Sequence, residues 1–215
     1  MGKSRKILIS TGFSAVTLAA FCCPSFFKTT SPALDGKIPG ASAASIHIEM
    51  ADPASRTRKL DLLAKDLDAK DDRTRLEAIS ELSNIRDERA IDLLVDRLSI
   101  EKEPILRVRI LGSLRWLGTA KSEEAIIRTM NQDHDPAVRA EAVQCLPTQR
   151  SERSVDAAIA RLPKEPAVEV REAIIFRLDD RRNKKMMDSL ARWYAKERDP
   201  HLKATIMRTI TAKPM

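Results

Sequence analysis

The chain has 215 residues, 43% of them hydrophobic and 32% charged, and 38 Lys and Arg against 31 Asp and Glu give it a formal charge of +7. Only Gly112 and Gly118 lie beyond residue 40, which excludes a Gly-rich phosphate loop or a dinucleotide fingerprint, since both need several backbone positions that Gly alone occupies freely. Four of the five Phe fall within the first 27 residues, so a core further along must be aliphatic.

Residues 1–6 carry Lys3, Arg5 and Lys6, the next 21 residues carry no charge, and Lys28 follows. A basic start before an apolar run is the pattern of a secretory signal peptide, and the run is also about the ~20 residues that span a bilayer. Residues 1–33 are therefore expected to be a signal peptide cut after Ala33, or an uncleaved anchor holding the chain to a membrane through residues 7–27. Either way the protein is expected to be exported, in the periplasm or another extracytoplasmic space, or membrane-anchored. Phe21 stands where a lipidated Cys22 requires a small residue, and Lys6 where N-myristoylation requires Ser or Thr, so neither lipid anchor is expected. Beyond the leader Cys145 is the only cysteine, and the body must hold together by packing rather than by an internal disulfide. Residues 34–55, rich in Ala, Ser, Pro and Gly, read as a flexible linker; the alternation Ile46-His47-Ile48-Glu49-Met50 is too short to be a stable strand alone.

From residue 56 onward the sequence repeats. Arg75, Arg107, Arg139, Arg171 and Lys203 stand 32 residues apart. Three residues after them come Ala78, Ile110, Ala142, Ile174 and Ile206; four after, Ile79, Leu111, Val143, Ile175 and Met207; seven after, Leu82, Leu114, Leu146, Leu178 and Ile210. Offsets of three, four and seven share one face of an α-helix, so each base opens a first helix with one apolar stripe. A second stripe lies nineteen, twenty and twenty-three residues after the base, with Leu94, Val95 and Leu98 in the first period, Ile126, Ile127 and Met130 in the second, Ala158, Ile159 and Leu162 in the third, and Leu190, Ala191 and Tyr194 in the fourth. Each period is a helical hairpin, and a hairpin buries its stripes only against stacked neighbours. Leu60, Leu63 and Leu67 mark a lone second helix over residues 58–68 that caps the start, and residues 202–210 form a lone first helix that closes the end.

Three first helices start as Glu103-Pro104-Ile105-Leu106-Arg107, Asp135-Pro136-Ala137-Val138-Arg139 and Asp199-Pro200-His201-Leu202-Lys203. An acid before Pro suits a helix start, because the carboxylate accepts from free N–H groups and meets the positive dipole end, while Pro loses nothing in the first turn. On these motifs, and on residues 75–98 with Ala78, Leu82, Ile85 and the Arg89-Ala90-Ile91 turn, the chain resembles the phycobilin-lyase-like HEAT repeats of the short Asp-Pro-x-Val-Arg type over residues 56–212. The resemblance implies an all-α fold, a right-handed α-solenoid of about four helical hairpins with a 32-residue period plus terminal capping helices, filling residues 56–215. It also brings a bilin-lyase-type subunit, or a chaperone-like relative of one, as a functional alternative that export does not suit. Fold alone settles no function.

The five bases have the regular rise that a phosphate-binding stripe needs. An acid followed by Pro, four residues before the base in three repeats, makes pairing within or between repeats the expected use instead, and the chain beyond the leader carries a charge of only +3, so nucleic acid is not an expected partner. A second ladder, Asp92, Glu124, Asp156 and Asp188, is expected in the first turns of the second helices. There it complements the dipole, with Glu124 paired to Arg128 and Asp188 to Arg192, rather than holding a cation. His47, His134 and His201 take unrelated places in the repeat, the latter two in solvated turns, and Cys145 beside core Leu146 reads as a buried thiol. No catalytic, cofactor-binding or metal site is assigned.

Sibling repeats act as an internal control. Trp193 replaces Arg97, Thr129 and Arg161, and Phe176 replaces Ser80, Gly112 and Gln144. Either these aromatics shield the end of the core, or Trp193, Tyr194, Arg192 and Arg161 form a partner-binding patch of the kind rich in Trp, Tyr and Arg. Trp116 is expected to pack between repeats. The functional expectation is a non-enzymatic scaffold that recognises a protein or peptide across its second-helix face.

Overall fold

Short polar side chains before apolar runs set where each helix begins. In a computed structural model, which describes residues 52–147, 151–179 and 184–211, the helices are α1 (Pro53–Leu67), α2 (Asp72–Asn84), α3 (Glu88–Ile100), α4 (Pro104–Leu117), α5 (Ala120–Gln132), α6 (Pro136–Cys145), α7 (Glu152–Arg161), α8 (Val168–Asp179), α9 (Lys184–Tyr194) and α10 (Pro200–Thr211). A 3-10 turn, Leu162–Lys164, extends α7, and no strand occurs among the described residues. The leader, nearly all of the linker, and the alternation containing His47 lie outside the described residues.

The carboxylates of Asp52, Asp71 and Asp135 accept from the first-turn amides of Ser55, Thr74 and Ala137 at 3.0, 2.8 and 2.8 Å. Glu103, expected to do the same, makes no side-chain cap; its extra methylene disfavours the short fold-back that makes Asp, Asn, Ser and Thr the preferred caps. Asp52-Pro53 is a further acid-Pro start, and it begins α1 at Pro53 rather than at residue 58, inside the stretch read as linker. Gly118 ends α4 with φ 63°, a left-handed conformation that Gly adopts without a Cβ clash.

The first helices α2, α4, α6, α8 and α10 lie side by side in one layer, and α1, α3, α5, α7 and α9 in the other. Each first helix also packs on the second helix that precedes it, from α1 with α2 to α9 with α10. The fold is the all-α solenoid that the repeats imply. Its core is the expected first-helix stripe: Ala78, Ile79, Leu82, Ile110, Leu111, Leu114, Ala142, Val143, Leu146, Ile174, Ile175 and Leu178 are all buried. In α10 Ile206 is buried, Met207 is exposed and Ile210 half-buried, since no described helix follows to cover them.

The second stripe holds at its first set and, Tyr194 apart, at its third, Leu98, Met130 and Leu162, but not at its middle set. Leu94, Ile126, Ala158 and Leu190 are buried, but at the next residue only Val95 is; Ile127 and Ile159 are half-buried and Ala191 exposed. A further buried line runs through Ala90, Ser122, Ser154 and Met186, four residues before the first set and stacked on it. Two serines therefore sit in the core: Thr119 Oγ1 accepts from the Ser122 amide at 3.1 Å, and Ser154 Oγ donates to Glu123 at 2.6 Å.

In a stack held by nearest-neighbour contacts, a charge in the middle divides the array while one at an end frays it. Ile126→Asp, at a fully buried site in α5, should cost at least about 4 kcal/mol and abolish a single cooperative melt. Ile210→Asp should lower the melting temperature by a few degrees only. Circular dichroism melts of the two variants check this, and equal losses would count against the repeat register.

Candidate interaction surface

One guanidinium per repeat ties two turns together. Arg107 donates from one terminal nitrogen to the carbonyls of Glu101 and Lys102, which end the preceding second helix, at 3.3 and 2.8 Å. From Nε and the other nitrogen it donates to both oxygens of Asp133, beyond the end of its own second helix, at 2.9 and 3.1 Å. Arg139 repeats this with the Asp133 and His134 carbonyls and the Glu165 carboxylate, and Arg171 with the Glu165 and Pro166 carbonyls and Glu197. Arg75 begins the series on the carbonyls of Ala69 and Lys70 and on Glu101. The acids at 101, 133, 165 and 197 are themselves 32 residues apart, and the same period search would have found them. The acids four residues before Arg75 and Arg139 are occupied differently: Asp71 and Asp135 cap their helices.

Each acid also accepts the amide two residues on, from Glu103, Asp135, Ala167 and Asp199, at 2.9 to 3.0 Å. The three glutamates take a further donor from four residues back: Arg97 to Glu101, Arg161 to Glu165, and the Trp193 indole N–H to Glu197 at 3.2 Å. Trp193 thus stands in for an arginine chemically as well as by register. Among the described residues every buried side-chain N and O has a partner. Burial alone would raise these glutamates; the Glu103 amide with Arg97 and Arg75 lowers Glu101, Arg139 with the Ala167 amide and Arg161 lowers Glu165, and Arg171 with the Asp199 and Arg198 amides lowers Glu197.

The second-helix face is laced by exposed pairs that join successive repeats. Asp61 bonds Arg89, Asp92 bonds Lys121, Glu124 lies 3.6 Å from Arg153, and Asp156 bonds Lys185. The acids stand one turn deeper in their helices than expected, and they reach the next repeat rather than a base four residues on. Of the four residues proposed as a patch, only Arg192 is exposed. Arg161 is held by Glu165 and the Asn131 carbonyl, Trp193 by Glu197 and the core edge, and half-buried Tyr194 lies under the Lys203 ammonium, 5.4 Å from its ring centre.

Exposed aliphatic groups occur in both layers, Leu62 and Ile100 on second helices among them, but the large exposed aromatic groups stand on first helices. Trp116 and Phe176 are each 68% exposed and Ile105 is 61% exposed. Trp116 was expected between repeats; it lies two residues past buried Leu114, about 200° around the helix and so on the outer side. It shares that side with Gly112, Arg109 and Ile105 on α4. The outer side of α6 is nearly uncharged, with Ala137, Ala140 and Gln144, and α8 presents Glu169, Glu172 and Phe176. His134 and His201 are exposed and Cys145 is buried, as expected. Among the described residues no three His, Cys, Asp or Glu converge as a metal ion would need.

The lowered glutamates predict an acid limit. Their folded values lie below the ordinary 4.5, so the unfolded chain binds more protons as pH falls, and stability present at neutral pH drains away below that value. Glu165→Gln should cost about 3 kcal/mol or more at pH 7, because it leaves Arg139 and Arg161 around a neutral group. The gap in melting temperature from wild type should narrow toward pH 3.5, and a gap constant with pH would place the linked protons elsewhere.

Residues 96–179 match the family model for HEAT repeats, and residues 74–99 match the model for the PBS lyase HEAT-like repeat. No curated protein matches the chain. The two matches adjoin over α2 to α8, where the arginine–carboxylate ladder and the buried stripes recur, and the chain is a HEAT-like repeat protein.

Proposed function

We propose that the protein is a non-enzymatic, exported or membrane-tethered scaffold whose repeat domain holds a protein partner on its first-helix face. One observation carries the choice of face: the exposed aromatic groups, Trp116 and Phe176, stand there on α4 and α8, while the second-helix face is committed to ion pairs between repeats. Exposed aromatic groups on an otherwise charged surface mark contact sites. No described helix is long and apolar enough to cross a membrane, so tethering rests on the uncharged run at residues 7–27.

Trp116→Ala should leave the melting temperature within a few degrees, since exposed substitutions cost about 0.5 kcal/mol or less, yet remove the partner recovered by crosslinking in the native fraction. A large stability loss, or an unchanged partner, would count against this face. Fractionation with N-terminal sequencing should find the chain in membranes, or outside the cytoplasm with a start near Leu34. An intact Met1 in soluble cytosol would overturn export.

A further inference from the structure

Taking the first-helix layer as the contact surface, as proposed above, we infer that its partner is a second copy of this chain, related by a two-fold axis running along α6. Such an axis lays α4 of one copy over α8 of the other, keeps helix direction, and brings equal register positions together. Five residues after the base, Gly112 then meets Phe176 of the second copy. A Cβ built at Gly112 finds nothing within 4 Å, so the space over it is open for an outward-standing ring. Two residues after the base, Arg109 meets Ala173 of the second copy, beside exposed Glu172, which lies 3.4 Å from His201 in its own copy, and one turn from exposed Glu169. On the axis itself Ala137 and Ala140 let two α6 helices approach closely. Glu141 meets its own copy across this axis as a like-charged pair, and it shares its register position with Arg109 on the neighbouring helix of its own copy.

Charge selects this axis over the alternative. A two-fold running across the helices would lay α4 on α4 and α8 on α8, setting Arg109 toward Arg109 and the Glu169 and Glu172 carboxylates toward their own copies. Like charges facing each other oppose docking, whereas the axis along α6 pairs the basic helix with the acidic one twice over.

The test uses the full-length chain in its native fraction, with Cys22, Cys23 and Cys145 replaced by Ala. The double variant Gly112→Cys, Phe176→Cys should form a disulfide-linked dimer on mild oxidation. Each single variant should not, because like positions sit two interhelical spacings apart, about 20 Å, well beyond the roughly 7 Å between Cα atoms that a disulfide bridges. A dimer from Phe176→Cys alone would mean the other axis and overturn the proposal. Since these changes alter the contact itself, sedimentation of the detergent-solubilised chain is the second measurement. Arg109→Glu should raise the dimer dissociation constant about tenfold or more, and adding Glu172→Arg should restore it. A monomeric chain from which Trp116→Ala releases a different protein would overturn the second copy and leave the scaffold reading standing. A monomer with no partner at Trp116 would overturn both.

Discussion

The structure depends on a buried arginine that is shared between two turns. Helix C-termini leave carbonyls without donors, and the turns from second to first helix would strand such groups inside the stack. One guanidinium solves this at both ends, donating from one nitrogen to two carbonyls of the turn before it and from the other two to the carboxylate of the turn after it. The carboxylate is oriented in turn by a backbone amide two residues on. From Arg75 to Glu197 the result is a continuous line of charge-assisted bonds along one edge of the solenoid.

That line does what the apolar stripes cannot. A row of Leu and Ile side chains packs without direction and tolerates sliding, whereas a bidentate carboxylate accepts from a guanidinium in one place. Removing either partner leaves a charge buried without compensation, which costs far more than the intact pair gains. The aliphatic core supplies the driving force and the ladder sets the register. This accounts for Trp193: the last glutamate of the ladder needs a donor from four residues back, and an indole N–H supplies one while its ring covers the core edge.

With the edge and the second-helix face engaged in pairs between repeats, the proposed contact surface is the outer side of the first helices. Its apolar groups and its separation into a basic α4 and an acidic α8 are what a partner would meet. The regular rise of Arg75, Arg107, Arg139 and Arg171 is that of the repeat, and each is engaged by a carboxylate inside the fold.

The period of 32, the helix faces and the acid-Pro starts were all legible in the sequence, because burial in a helix imposes a spacing that composition alone cannot imitate. Trp116 could also have been placed, since its offset from Leu114 puts it on the outer side. What the sequence did not decide was which acid each arginine takes. The chosen carboxylate lies 26 residues on, and only the stacking of two helices and a turn brings it within reach, while the nearer acids of Asp71 and Asp135 are drawn away to cap their own helices. The role of Trp193 was hidden for the same reason. Its exchange with arginine read either as a cover for the core end or as a contact patch, and only the position of the Glu197 carboxylate shows that both side chains serve as a donor at a buried acid, a property of the assembled turn rather than of the residue.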